Sequence, residues 1–328
     1  MAREGAEHTP PGRMTDTIDI AAPIECDWPI TNCYIDAWTL ILAAWGLDSA
    51  AGLGVTVAQD YEGDQFTFFK YQHDDLELLY GAVVGELTIY SSLEEQYQEQ
   101  VRHGRLVLAE ADGFYLPDTR ATSYRTQHTK TTIGIDSIDI AARRLTYFHN
   151  VGHYELTGDD YAGVFHKLPH QNQPDDVLPP YVEFVKRRWP PLTGGGLTDA
   201  AIGLLRRHLR RRPDESPIRQ YRDDFPRHME WLLSRPQSFH DYAFGIFRQL
   251  GANYQLLANH VEWLQSRGIG DLTDVRDAAR LISATAKSMQ FKVARIASRG
   301  RFDPCAAMFD TLEQNYEAVI GGLERTLS

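Results

Sequence analysis

Between Cys33 and Trp45 apolar residues fall on nearly every side of a helical wheel, which predicts a helix held inside a core rather than one lying on a surface. Thr31 or Asn32 can cap its start, and Gly46 can take the left-handed position that ends it. Shorter apolar runs follow, predicting strands at Leu53–Ala58, Gln65–Phe69, Gly85–Ile89, Leu106–Ala111, Thr131–Ile135 and Leu145–Phe148, with a helix at Leu93–His103. One helix followed by strands and short turns reads as an α+β layer. A dense stretch of prolines with Gly194-Gly195-Gly196 then interrupts the pattern, and 171–196 reads as a Pro/Gly-rich linker. Beyond it the period becomes 3.6, predicting helices at Thr198–Arg211, Pro217–Leu233, Ser238–Arg267 (with a break near Gly251), Leu272–Arg299 and Pro304–Leu327. Asp303 followed by Pro304 is a start signal for the last of these. The expected organisation is an α+β domain at 18–170 and an all-α helical domain at 197–328.

Composition narrows the setting. The 328 residues, 43% of them hydrophobic, are enough for two cores. The polar segment 1–17, with Pro10, Pro11 and Gly12, reads as a disordered leader without a signal sequence, and no stretch is long enough to span a bilayer. Three cysteines, Cys26, Cys33 and Cys305, cannot make a disulfide framework and lack zinc-ligand spacing, so a reducing cytoplasm is expected. A net charge of -12 argues against nucleic acid as a partner. Basic residues nevertheless concentrate from Arg206 to Arg227. Arg206, Arg207, Arg210 and Arg211 read either as a solvated helix face or as a docking patch for an acidic partner.

Candidate chemistry begins at Cys33. A thiol in the first turn of a helix lies at the positive end of the macrodipole, a setting that favours a nucleophilic thiolate; the alternative is a small core residue. Such a nucleophile needs a base and a group that orients the base. Among 12 histidines, His128 stands out because it follows a polar loop and precedes the strand Thr131–Ile135. The next strand ends in His149-Asn150, so Asn150 or His149 is expected beside the His128 imidazole. Cys33, His128 and Asn150 thus occur in the order used by papain-like enzymes. The acids Asp60, Glu62, Asp64 and Asp112 do not have the alternation of a calcium loop. They read as turn ligands or as the wall of a cleft for an ammonium group, and no metal is expected. Gly194-Gly195-Gly196 has no P-loop lysine and reads as linker.

With these residues in hand, the first half of the chain resembles a bacterial domain-of-unknown-function family of about this length. The motifs are Asn32-Cys33-Tyr34, Glu62-Gly63-Asp64 with Thr67-Phe68-Phe69-Lys70, Tyr115-Leu116-Pro117-Asp118-Thr119, His128-Thr129-Lys130-Thr131-Thr132 and Tyr147-Phe148-His149-Asn150, over residues 25–170. The resemblance implies a setting beside carrier proteins and the amino acid:carrier-protein ligases that load them. More remotely the layout is similar to the butirosin-type aminoacyl transferases, which join a papain-like domain to a helical one. That similarity implies Cys33 as nucleophile, His128 as base and a third residue at the end of the following strand. The remote relatives commonly carry aspartate there; this chain offers His149-Asn150, with Asp136 and Asp139 as substitutes.

The expectation is therefore an aminoacyl or acyl transferase. Cys33 takes an acyl group from the phosphopantetheine thioester of an acyl or aminoacyl carrier protein, His128 handles the protons, and Asn150 orients His128. Asn32 helps hold the oxyanion, Asp64 or Asp112 receives a substrate ammonium, and the arginines dock the carrier. No cofactor of its own is implied. The alternatives are a papain-like cysteine peptidase or amidase, and a non-catalytic carrier-protein binding module.

Overall fold

The computed structural model describes residues 27–171 and 177–327. The leader at 1–17, Cys26 and part of the 171–196 stretch lie outside the described residues. The chain divides into two compact units, one comprising Asp36–Leu47 and Ala82–Arg188, the other Asp48–Gly81 and Trp189–Ser328 together with the segment that ends at Ile35. The architecture is α+β, a six-stranded antiparallel sheet in the first unit and a helical C-terminal region in the second.

In the first unit the strands are β1 (Ala82–Glu86), β2 (Leu106–Asp112), β3 (Lys130–Asp139), β4 (Arg144–His149), β5 (Gly152–Thr157) and β6 (Val182–Arg187), in the order β1-β6-β2-β3-β4-β5. Side chains alternate across it. Val107, Ala109, Ile133, Ile135, Leu145 and Tyr147 share one core with Tyr97 of α3 (Leu93–Arg102) and Tyr161 of α4 (Gly158–Val164). Gly134, between the two isoleucines, points the other way. A methyl group there would sit 2.9 Å from Ile41 Cδ1 of α1 (Cys33–Ala44), so the missing side chain lets the helix lie close to β3. The two-residue turn between β4 and β5 places Asn150 at φ +50°, a left-handed conformation that asparagine tolerates better than most residues.

Helix α1 has the predicted caps. Asn32 Oδ1 accepts from the Ile35 amide at 2.9 Å. At the other end Gly46, at φ +71°, donates to Ala43 while the Leu47 amide donates to Leu42, a Schellman pair.

The second unit holds α2 (His73–Tyr80), α5 (Gly194–Arg210), α6 (Pro217–Ser234), α7 (Phe239–Ala243), α8 (Gln249–Ser266), α9 (Thr273–Arg299) and α10 (Ala306–Leu327). Several sequence expectations are corrected here. Leu53–Ala58 is no strand but part of a 3₁₀ helix, Ser49–Ala58. Its glycines make the tight packing possible, Gly52 lying against the Tyr71 ring and Gly54 against Leu205 and His260. Gln65–Phe69 makes one isolated bridge, Tyr61 to Phe66, and the Phe66 amide donates to Gly245 instead of to a strand. Gly251 does not break its helix. The irregularity is a π turn at Phe244–Arg248, and Gly251 is where the Trp28 indole presses against α8. α10 starts two residues after Pro304, because Cys305 adopts φ +53° with its amide on Asp303 Oδ1. Residues 182–187, amid the prolines, form β6, and Gly194–Gly196 are the first turn of α5.

Candidate active site

Asp112 closes β2 and pairs in register with Lys130, the first residue of β3. This places His128 beside the Asp112 carboxylate. Asp112 Oδ1 accepts from the amides of Phe114 (3.0 Å) and Thr129 (3.3 Å), and Oδ2 lies 2.5 Å from His128 Nδ1. The imidazole stacks on Phe114 at a centroid distance of 4.4 Å. With Nδ1 bound to the carboxylate, Nε2 is left on a largely exposed side chain, and no described residue is bonded to it. Backbone amides hold the acid, the acid holds the imidazole, and the imidazole presents a free nitrogen. That is the order of support a general base needs.

The pair opens into a cleft of about 1070 Å³ within the first unit. Glu110 and Lys130 lie on the same wall, ion-paired at 2.7 Å, and Tyr90, Leu93, Phe165 and Leu178 supply apolar surface. Beneath His128 and Phe114, burial raises the phenol pKa of Tyr115, and the Asp112 charge adds to the rise.

A second histidine–carboxylate pair lies deeper in the same unit. His149 Nδ1 is 2.6 Å from Asp118 Oδ2, His149 Nε2 is 2.7 Å from Thr131 Oγ1, and both side chains of the pair are almost fully buried. Asp118 also accepts from the Tyr147 hydroxyl at 2.7 Å and from Asn150 Nδ2 at 3.1 Å. Burial alone would raise the Asp118 pKa, but the bonds from His149, Tyr147 and Asn150 outweigh it and hold the carboxyl below the ordinary range.

These contacts place the sequence candidates. Asn150 and His149 are committed to Asp118, and the side chain bonded to the His128 ring is Asp112. Asp136 accepts from Thr146 and His153, and Asp139 caps a turn through the Ala142 amide, so both are engaged elsewhere. Cys33 is the first residue of α1, half-buried with a free thiol. Asn32, expected at the oxyanion, is buried with both ends of its amide in use: Oδ1 caps the helix and Nδ2 donates to Phe69 O at 3.0 Å. Asp64 is exposed in the second unit. Of the arginines, Arg206 donates to Leu327 O at 2.8 Å, and Arg207 pairs with the buried Asp75, which also binds His208 at 2.6 Å. Arg210 and Arg211 are exposed. Among the described residues no group of three or more His, Cys, Asp or Glu side chains is arranged to hold a metal ion, and no helix is long and apolar enough to cross a membrane.

A family model described as the DUF1839 N-terminal domain matches residues 21–187, and one described as the DUF1839 C-terminal domain matches 195–325. The chain belongs to the DUF1839 family. No curated protein matches its sequence. The DUF1839 N-terminal match spans Cys33, Asp112, Asp118, His128, His149 and Asn150 together. The spatial grouping differs from the sequence match, since Asp48–Gly81 falls within the N-terminal match but packs with the C-terminal helices. Sequence reasoning passed over Asp112 as a partner of His128. The available signal was an acid at the end of one strand and a histidine two residues before its antiparallel neighbour.

Proposed function

We propose that this DUF1839 protein is a cysteine-dependent acyltransferase of papain-like design that takes an aminoacyl or acyl group from a carrier-protein phosphopantetheine thioester. The supporting observation is the His128–Asp112 pair, backbone-anchored and open to a cleft large enough for a small acceptor. In the first step the Cys33 sulfur attacks the thioester carbonyl. The carbon–sulfur bond to the carrier arm breaks, and the arm leaves as a thiol after receiving a proton from the imidazolium of His128. In the second step an acceptor amine or hydroxyl attacks the acyl-enzyme. His128 takes the acceptor's proton, and Cys33 is released as thiolate. Asp112 keeps the imidazole in the tautomer that leaves Nε2 available and stabilises its charged form, the role the sequence reading gave to Asn150. The Cys33 backbone amide, at the unpaired start of α1, is a donor for the oxyanion.

Incubation with an aminoacylated carrier protein, followed by intact mass measurement, tests this reading. Wild type should gain the mass of the acyl group and Cys33→Ala should not, while His128→Ala should form the adduct roughly 10²–10⁴-fold more slowly. No adduct on wild type, or the same adduct on Cys33→Ala, would overturn it. Cleavage of peptides without any carrier would instead identify a cysteine peptidase.

A further inference from the structure

The hydrogen bonds around His149 fix where its proton sits. Although burial works against it, the bonds from His149, Tyr147 and Asn150 hold Asp118 ionised. Its Oδ2, 2.6 Å from His149 Nδ1, therefore accepts, and Nδ1 carries the proton of the neutral ring. Nε2 is then an acceptor, and the Thr131 hydroxyl, 2.7 Å away, donates to it. A carboxylate on one imidazole nitrogen and a hydroxyl directed at the other is the arrangement that readies a hydroxyl for attack. The acid is oriented in turn, because the Tyr147 hydroxyl donates to Asp118 Oδ1 at 2.7 Å and Asn150 Nδ2 donates to Oδ2 at 3.1 Å.

Thr131 borders the cleft that also holds His128. β2 and β3 pair Thr131 with Ala111, so the two side chains share one face of the sheet about 5 Å apart. Ala111, Thr129 and Lys130 all line the cleft of about 1070 Å³. Ala111 brings only a methyl group to that wall. Thr131 beside it is half-buried, whereas the side chains of His149 and Asp118 behind it are almost fully buried. Base and acid are thus screened from water while the hydroxyl stands at the wall.

We propose that Thr131, His149 and Asp118 form a second nucleophilic site, at which small activated esters entering the cleft acylate the Thr131 hydroxyl. Thr131 Oγ1 bonds to the ester carbonyl carbon as its proton passes to His149 Nε2. The carbon–oxygen bond to the leaving alcohol breaks, and the alcohol takes that proton. Water then attacks the acyl-threonine and gives a proton to Nε2; the carboxylic acid leaves, and the proton returns to the Thr131 hydroxyl. Asp118 keeps the proton on Nδ1 and offsets the charge of the imidazolium. The site lies within the first unit and requires neither Cys33 nor a carrier protein, so it goes beyond the transfer reading.

The test uses the full chain carrying Cys33→Ala, treated with p-nitrophenyl acetate, quenched in acid and mapped by peptide mass spectrometry. An acetyl group should appear on Thr131. Thr131→Val, nearly the same in shape, should abolish it, and Thr132→Val should leave it. His149→Gln, whose amide can still bond Asp118, should slow its formation roughly 10²–10⁴-fold. Thr131→Ser keeps the test decisive if valine disturbs the strand, since the acetyl group should then map to the substituted position. Acetylation confined to lysines or to His128, or labelling of the Thr131→Ser chain that misses that position, would overturn the proposal. So would an acetyl group on Thr131 that forms as fast in His149→Gln. The transfer reading is untouched by either outcome, because Cys33 is absent from the protein tested.

Discussion

At the residue scale, hydrogen bonding assigns the histidines their tasks. His128 is held by Asp112 and open to the cleft, and His149 is sealed against Asp118 and Thr131. His260 is a third kind. It is buried in α8, its Nδ1 lies 2.8 Å from the Ala50 carbonyl, and burial, with a smaller push from His208, lowers its pKa to about 4 against the ordinary 6.5. The fold therefore holds His260 neutral, while the unfolded chain takes up a proton as pH falls below 6.5. The second unit should lose stability between about pH 6.5 and pH 4, by up to about 3 kcal/mol from this group alone. Denaturant titrations of wild type and His260→Gln at pH 7 and pH 5 check this. The fall in stability should be smaller in the variant; equal falls would show that another group titrates.

At the scale of elements, close approaches explain what propensity does not. In an isolated helix Gly251→Ala would be favourable by about 1 kcal/mol. In α8 the added methyl would lie 2.4 Å from Trp28 Nε1, and the indole is fixed by its backbone bonds to Gln255. The substitution should destabilise the protein by about 1–3 kcal/mol, read as a lower denaturation midpoint. Unchanged or raised stability would mean that Trp28 can swing away. The same physics hid the 3₁₀ helix at Ser49–Ala58: Leu53, Val55 and Val57 alternate as a strand would, but Gly52 and Gly54 let that segment press against neighbouring side chains. By contrast α1, α3, α6, α9 and the strands β2 to β4 were legible, because each carries its own period and most carry their own end signals.

At the scale of the whole molecule, charge is spent mainly on internal pairing. The run from Arg206 to Arg227 looks like a basic patch in one dimension, yet in space it meets Asp75, Glu313, Glu324 and Asp224. The most consequential pairing is at Asp75, a fully buried carboxylate between Arg207 and His208. Asp75→Asn leaves the Arg207 guanidinium without its counter-charge and the His208 ring without its carboxylate partner, and should cost about 3–5 kcal/mol, measured by urea unfolding. A change below about 1 kcal/mol would show that the site relaxes or hydrates.

The sequence by itself determined the α+β-then-helical order, the caps of α1, the position of Cys33 at its first turn and that of His128 just ahead of β3, because these depend on residues within one turn or one strand of each other. It also brought Asn150 and Asp112 into view without their bonds. Only the tertiary structure decided that Asp112, sixteen positions before His128, grips the imidazole, and that Asp118 gathers His149, Tyr147 and Asn150. It likewise returned β6 from the proline-rich stretch to a place between β1 and β2. Strand register and the return of distant segments are set by which apolar faces bury together, and local periodicity does not encode that choice.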